Sequence, residues 1–195
     1  MIRIGLTGNI ASGKSIVQKY LEQKNISVID ADAICHDLLM SDSKTIEEVK
    51  KAFANYDILD GEKLAKKKIA EIIYSDLKKK KSLEEIIHPK IKEKIEDFLE
   101  SKKQEKIAVV AVPLLFEAGM QSMFDKIIFV SASLKTRVER LMKRNNINEE
   151  FAIKMIKAQQ PESEKLSSCD YIVKNEATID NTYHQVDKIL CEIMR

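Results

Sequence analysis

The chain has 195 residues, enough for one domain or one core with inserted subdomains, and its 33 basic and 31 acidic side chains give a formal net charge of +2. This balance gives no electrostatic reason to expect nucleic acid or an anionic membrane as a partner. The three cysteines form no C-x-x-C pair, which disfavours a disulfide framework or a zinc site and predicts reduced thiols in a cytoplasmic protein without a targeting segment.

The first element is a short apolar run, Ile2 to Leu6, followed by Gly8-Asn9-Ile10-Ala11-Ser12-Gly13-Lys14-Ser15 and then by a helical pattern. This segment fits G-x-x-x-x-G-K-[ST] between a strand and a helix, the context that the phosphate-loop motif requires. Glycines allow backbone N–H groups to wrap around phosphate oxygens at the start of a helix. Lys14 can reach the β- and γ-phosphates, and the Ser15 hydroxyl can bind Mg²⁺. The segment predicts a nucleoside triphosphate site, in preference to a strand–helix turn with a chance Lys-Ser.

Four further β-branched runs alternate with helical patterns, which is typical of an open α/β sheet. They are Ile26–Ile29, Ile107–Val112, Ile127–Val130 and Tyr171–Val173. With Ile2–Leu6 they predict five buried parallel strands flanked by helices. The apolar stretch that begins at Ile107 is too short to cross a bilayer.

Two long helical stretches interrupt this alternation. About seventy-five residues separate the second and third predicted strands without a β-branched run, too many for one crossover helix, so they predict a helical insertion. A second stretch, roughly 134 to 167, predicts a basic flap with Arg137, Arg140, Lys143 and Arg144 at helical spacing. The segment from Thr178 to Met194 predicts a closing helix, with one apolar face formed by Ile179, Val186, Leu190 and Ile193.

Absent motifs narrow the class of nucleotide-binding protein. The chain has no Asn-Lys-x-Asp and no Asp-x-x-Gly, the motifs that would indicate a GTPase switch. The third predicted strand ends in Pro113, without the terminal aspartate with which motor ATPases hold Mg²⁺. These absences favour a kinase that acts on a small molecule.

Two aspartates, Asp30 and Asp32, follow the second predicted strand at the sheet edge where open α/β folds bind ligands. A kinase needs one carboxylate to orient the acceptor hydroxyl and one to hold the water shell of Mg²⁺. Asp-x-Asp at this position can serve both purposes. The alternative is a helix cap beside a second acidic residue in the first helical turn.

Together, five segments resemble the motifs of the dephospho-CoA kinase family, in the order of that family and over essentially the whole chain. They are Ile4–Gly8 continuing to Lys14–Ser15, Val28–Asp32, Ile87–Pro89, Val112–Glu117 and Asp170–Asn175. The resemblance implies that ATP phosphorylates the ribose 3′-hydroxyl of dephospho-CoA, the final step of coenzyme A synthesis, with Mg²⁺ as cofactor. It implies a P-loop core at about 1–31, 105–132 and 168–195, an acceptor-binding insertion at about 32–104, and a lid at about 133–167. We expect a monomer, with weak self-association as the alternative.

The resemblance also assigns roles to residues. As catalytic residues it implies Lys14, Asp32 and Arg140. As ATP-binding residues it implies Gly8, Asn9, Ile10, Ala11, Ser12, Gly13, Lys14, Ser15, Ile16, Arg140, Arg144 and Asn175. As acceptor-binding residues it implies Thr7, Asp32, His88, Pro113, Leu114 and Glu117. Ser15 would bind Mg²⁺ directly and Asp30 through water, although the roles of Asp30 and Asp32 could be exchanged.

Each of these assignments has a structural alternative. His88 and Pro89 could mark a helix boundary, and Leu114 to Phe116 could be core. Arg140 and Arg144 could lie on a solvated helix face, and Asn175 could simply form a turn. Met155 stands where many family members carry an arginine, so a third lid arginine is in doubt. The competing functions are a P-loop kinase for another nucleotide or nucleoside and a non-catalytic nucleotide-binding regulator.

Overall fold

The chain folds around a five-stranded parallel sheet. The computed structural model describes residues 1–61 and 63–195. Its strands are β1 (Ile2–Gly8), β2 (Ser27–Asp30), β3 (Leu59–Asp60), β4 (Lys63–Leu64), β5 (Ile107–Ala111), β6 (Lys126–Ser131) and β7 (Tyr171–Lys174). Five of them pair in parallel in the order β2-β5-β1-β6-β7, which confirms the predicted fold class.

Helices occupy most of the remaining described chain. They are α1 (Lys14–Gln23), α2 (Ala31–Ser41), α3 (Ser43–Ala52), α4 (Lys66–Ser75), α5 (Leu77–Ser101), α6 (Leu134–Asn145), α7 (Glu149–Lys157), α8 (Glu162–Leu166) and α9 (Ile179–Ile193), with a short 3-10 helix at Gln121–Met123. Among the described residues, no helix combines the length and apolar character needed to cross a membrane.

Burial differs between the centre and the edges of the sheet. The central strand β1 is buried from Ile4 onwards, and its neighbour β5 is buried throughout. The edge strands β2 and β7 are only partly buried, because each has a partner on one side alone. The prediction of five parallel strands is therefore confirmed, whereas the prediction that all five are buried is wrong for these two.

The chain divides into two compact units. The first comprises Met1–Asp30 and Leu99–Arg195, and the second comprises Ala31–Phe98. In the first unit, apolar residues of α1 and α9 pack against the sheet, with Val17, Leu21 and Val186 almost completely buried. Each such side chain contributes about 1.5–3 kcal/mol to the free energy of folding. This core fixes the strand ends around which the candidate site is built.

The second unit contains α2, α3, α4 and most of α5, and its core includes Val49, Phe53 and Ile95. It also contains the antiparallel hairpin β3–β4, which the prediction of a helical insertion did not include. Strands of two residues are too short to show the alternation by which a strand is recognised.

Two further interpretations are corrected by the helices. Pro89 lies inside the 25-residue helix α5, so the helix-boundary alternative for His88 and Pro89 is wrong. In α9, Val186, Leu190 and Ile193 are buried as predicted, but Ile179 is 54% exposed. Ile179 is the first residue of the helix, directly after the capping residue Thr178, and it does not join the apolar face.

Candidate active site

The phosphate loop lies between the end of β1 and the start of α1. Gly13 precedes the helix with a φ of 97° and, having no side chain, offers this helix start no side-chain cap. The first N–H groups of an uncapped helix have no partner within the helix and carry partial positive charge. The motif predicted from sequence therefore has the strand–loop–helix context that phosphate binding requires.

The backbone of this loop turns tightly. Ala11 has a φ of 62°, and the Ser12 N–H donates to the Asn9 carbonyl at 3.0 Å. Neither loop glycine has space for a side chain. A Cβ at Gly8 would lie 2.6 Å from both Ser12 Oγ and Val130 O, and one at Gly13 would collide with Asn175 Nδ2. Both glycines are thus required by close approach, and Gly13 also by its backbone conformation.

Side chains from distant parts of the chain hold the loop's carbonyl groups. Arg137 Nε donates to the Ile10 carbonyl at 3.0 Å. The Ser12 carbonyl accepts from Arg140 Nη1 at 3.2 Å and from Asn175 Nδ2 at 2.8 Å. Because the C=O and N–H of a trans peptide point in opposite directions, these bonds turn the N–H groups of Ala11 and Gly13 away from the bracing side chains.

Asn175 and Arg140 are themselves held in place. Asn175 is 2% exposed, its Oδ1 accepts from Thr182 Oγ1 at 3.1 Å, and its carbonyl accepts from Arg140 Nη2 at 2.9 Å. Arg140 therefore does not lie on a solvated helix face. Arg144 is exposed, and its Nε donates to Asn145 Oδ1, as expected for such a face. Asn175 is more than a turn residue, because its side chain bonds to the phosphate loop.

Arg137 is the most buried arginine of this group, at 5% exposed. Burial lowers the pKa of its guanidinium, and Glu162, whose carboxylate lies 4.0 Å from Nη1, works in the opposite direction. Its Nη2 is buried without a hydrogen-bond partner among the described residues. Next to it, the Ile10 N–H donates to Gln159 Oε1 at 2.7 Å. Ile10 is thus fixed through both its N–H and its carbonyl.

Lys14 and Asp30 form an ion pair beside the loop. Lys14 Nζ lies 3.4 Å from Asp30 Oδ2, and their side chains are 14% and 24% exposed. Asp30 is the last residue of β2, whereas Asp32 is an exposed residue two positions later, in the first turn of α2 and in the second unit. The Asp-x-Asp motif thus spans the junction of the two units.

The Cys35 thiol, which the sequence motifs did not single out, lies close enough to Asp32 and Lys66 for both charges to act on it. Burial raises the pKa of the Cys35 thiol; the Asp32 charge adds to this rise, and the Lys66 charge opposes it. Lys66 Nζ also contacts His36 Nδ1. Lys66 follows α3 and the β3–β4 hairpin in the chain, and no spacing in the sequence predicts that its charge and that of Asp32 act on the same thiol.

The residues predicted to bind the acceptor differ in how deeply they are buried. Thr7 is buried, and its hydroxyl donates to the Pro113 carbonyl at 3.4 Å. After β5, Leu115 is fully buried and Leu114 is 46% exposed, so the core alternative holds for Leu115 but not for Leu114. His88 lies partly buried on α5, in the second unit.

One buried cation at the site has no sequence signal at all. Lys165 of α8 is 2% exposed, and its Nζ donates to Asn9 Oδ1 at 2.8 Å and to Glu117 Oε1 at 2.6 Å. It belongs to a five-residue helix and to none of the motifs. Within the part of the chain that the structure describes, no cluster of three or more His, Cys, Asp or Glu residues could hold a metal ion by itself.

The sheet, the phosphate loop and the carboxylate at the end of β2 define a P-loop kinase. Solved structures agree on the fold: shikimate kinase from Bacteroides thetaiotaomicron is similar with a TM-score of 0.55 at 14% identity, over 97% of this chain and 98% of that one. A crystal structure of TT1252 from Thermus thermophilus reaches a TM-score of 0.85 at 30% identity, over 98% and 97% of the two chains.

The family follows from more specific similarities. The family model described as dephospho-CoA kinase matches residues 2–181. A dephospho-CoA kinase from Fusobacterium nucleatum is 37% identical over 97% of this chain and 96% of its own length. The structure of a dephospho-CoA kinase from Campylobacter jejuni has a TM-score of 0.74 at 28% identity, over 98% and 96% of the two chains. The chain belongs to the dephospho-CoA kinase family, and the predictions of family and enzyme class are confirmed.

Proposed function

We propose that this enzyme transfers the γ-phosphoryl group of ATP to the ribose 3′-hydroxyl of dephospho-CoA, giving CoA and ADP in the final step of coenzyme A synthesis. The observation that carries the proposal at the level of residues is the Lys14–Asp30 pair beside a loop whose carbonyls are bonded to Arg137, Arg140 and Asn175. A loop held in this way presents N–H groups to phosphate oxygens without rearrangement during the reaction.

ATP would bind along the loop from Gly8 to Ile16. Lys14 would contact the β- and γ-phosphates as a point charge. The Arg140 guanidinium donates hydrogen bonds to the carbonyls of Ser12 and Asn175. Its N–H groups therefore lie next to the phosphate loop, which supports a role in binding ATP. Arg144, on the same helix and exposed, would reach the phosphates after a movement of the lid.

The donors available for Mg²⁺ fit that ion. Ser15 offers a hydroxyl oxygen at the start of α1, and Asp30 offers a carboxylate beside Lys14. Mg²⁺ is bound through hard oxygen atoms, usually one or two from the protein together with water and the nucleotide phosphates. Bound with ATP, it would neutralise charge on the phosphates and on the transferring group.

Asp32 would orient the acceptor hydroxyl and accept its proton. Its exposed position in the first turn of α2 leaves it accessible to an acceptor, and its negative charge suits the N-terminal end of that helix. Since the hydroxyl is a poor acid and phosphoryl transfer has a loose transition state, we expect orientation to contribute more than proton abstraction.

The remaining acceptor contacts are proposals of the same kind. Leu114 presents an exposed apolar side chain after β5, which supports a contact with the acceptor. Thr7 is buried and bonds to the half-buried Pro113 next to it, and His88 would contribute from α5. Glu117 has one carboxylate oxygen bonded to Lys165, so an acceptor would meet its other oxygen. The monomeric state and the cytoplasmic location stay predictions.

The proposal is tested by measuring ADP release with purified protein, ATP, Mg²⁺ and dephospho-CoA. A matched reaction contains CoA, whose 3′ position is already phosphorylated, and further reactions contain nucleoside monophosphates. Among these acceptors, dephospho-CoA is expected to be the only one that supports turnover. Turnover with a nucleoside monophosphate instead would contradict the proposed acceptor, and ATP binding without turnover of any acceptor would contradict catalysis.

The role of Asp32 has its own test. Asp32→Asn is expected to keep its affinity for ATP and lose most phosphoryl transfer, because the neutral amide orients the acceptor hydroxyl less well than the carboxylate and cannot accept its proton. Asp37→Asn is the matched control, since Asp37 is exposed on the same helix. Normal turnover by Asp32→Asn would rule out Asp32 as the catalytic carboxylate.

A further inference from the structure

Lys165 is a buried cation to which the proposed reaction gives no role. Its side chain is 3% exposed, and a buried ammonium is costly unless charged or polar partners compensate for lost water. Its partners are Glu117 Oε1 at 2.6 Å and Asn9 Oδ1 at 2.8 Å. Replacing a buried ion pair by apolar residues of similar volume is often neutral or stabilising, so packing alone does not explain a lysine at this position.

Both partners lie at the edge of the sheet that carries the phosphate loop. Asn9 follows β1 directly and is 5% exposed, whereas Glu117 follows β5, the neighbour of β1. Asn9 also accepts the Ser12 N–H through its carbonyl at 3.0 Å. Lys165 therefore holds the side chain of Asn9, and the main-chain carbonyl of the same residue closes the turn of the loop.

The helix that carries Lys165 makes a second connection to the loop. Glu162, three residues earlier on α8, accepts a hydrogen bond from Ser131 and lies 4.0 Å from Arg137 Nη1. Arg137 in turn donates to the Ile10 carbonyl. The short helix α8 thus holds two consecutive loop residues, Asn9 directly and Ile10 through Arg137.

We propose that Lys165 is a positioning residue for ATP binding: it fixes Asn9, and with it the loop, in the conformation that receives the phosphates. The proposal rests on the proposed kinase function but concerns the binding step alone. When an anchor is lost, the competent conformation becomes less populated and the apparent Kd rises in inverse proportion. A fall of the competent fraction to about one tenth raises the ATP Kd about tenfold.

The direct test measures the ATP Kd by calorimetry without acceptor, so its result does not depend on whether dephospho-CoA is the substrate. Lys165→Met is expected to raise the Kd at least about tenfold, by removing the ammonium while keeping most of the side-chain length. Lys188→Met, an exposed lysine of α9, is the matched control and should bind ATP like the unmodified protein. Lys165→Arg should restore part of the affinity, since it keeps the charge.

A second variant covers the case in which Lys165→Met does not fold because Glu117 loses its partner. Asn9→Ala leaves the Lys165–Glu117 pair intact and removes only the bond to the loop, and we expect a similar rise in the ATP Kd. In steady-state assays of Asn9→Ala the KM for ATP should rise while the KM for the acceptor stays within about twofold, because the Lys165–Glu117 pair is kept. An ATP Kd within twofold of the unmodified value in folded Asn9→Ala overturns the proposal, as does an equal rise of both KM values in that variant.

Discussion

Gly13 offers a quantitative test of how tightly the phosphate loop is built. Its φ of 97° lies in the region that L-residues avoid, at a cost of about 1–2 kcal/mol for alanine. A Cβ there would also collide with Asn175 Nδ2, which would have to move and give up its 2.8 Å bond to the Ser12 carbonyl. Losing a buried hydrogen bond costs about 1–3 kcal/mol. We therefore expect Gly13→Ala to lower the free energy of unfolding by about 2–5 kcal/mol.

The two contributions can be separated by urea unfolding followed by circular dichroism. Gly119→Ala is the control for backbone conformation, because Gly119 also has a positive φ of 60°, but a Cβ at that position would meet no described atom within 4 Å. It should cost only about 1–2 kcal/mol. In an Asn175→Ala background, where the collision is removed, Gly13→Ala should cost no more than this control.

The outcome that refutes the reasoning is equally definite. If Gly13→Ala destabilises the protein by the same amount with and without Asn175, the contact between the two residues carries no energy. In that case the cost at Gly13 would come from backbone conformation alone, and the Asn175 bond to the Ser12 carbonyl would add nothing to the stability of the loop.

Three more predictions concern other parts of the first unit. Gly5→Ala should cost about 1–3 kcal/mol, measured by thermal unfolding, because its Cβ would lie 2.8 Å from Leu115 Cδ1; an unchanged Tm would contradict this. Arg140→Ala should lower kcat/KM for ATP at least about tenfold, and an unchanged value would exclude its proposed role. Arg3 holds the pKa of the Asp125 carboxyl below its usual range, so this stabilisation is present above about pH 4 and weakens as the pH falls through the lowered pKa. Asp125→Asn should therefore cost less than about 1 kcal/mol at pH 7 and less still in acid, and a cost that does not fall with pH would contradict the assignment.

The elements predicted well from sequence are those whose signal is local. The five strands are contiguous β-branched runs, and the phosphate loop is a contiguous motif. Neither requires knowledge of what lies opposite. The features that were missed have weaker local signals. The strands β3 and β4 are too short to show the alternation of a strand, and Pro89 lies inside a helix of 25 residues although it has no N–H.

The support of the site could not be predicted in the same way. Arg137 and Arg140 are recognisable in the sequence as basic residues of a helix, but their spacing does not say that they bond to loop carbonyls. Lys165 differs from the surface lysines only in its surroundings, which are set by segments 48 and 156 residues away along the chain. Contacts of this kind follow from tertiary packing, and no periodicity in one sequence encodes them.

The long-range hydrogen bonds that hold the phosphate loop also determine when, during synthesis of the chain, the loop can reach its final conformation. The loop precedes these partners in the chain, and its bonds to Arg137, Lys165 and Asn175 span 127, 156 and 163 residues. Contacts so distant form late, after the intervening chain has been made. A nascent chain that ends before residue 175 therefore carries the complete phosphate-loop motif without all of the bonds that fix its conformation, and the loop is fully held only after Asn175 has been made.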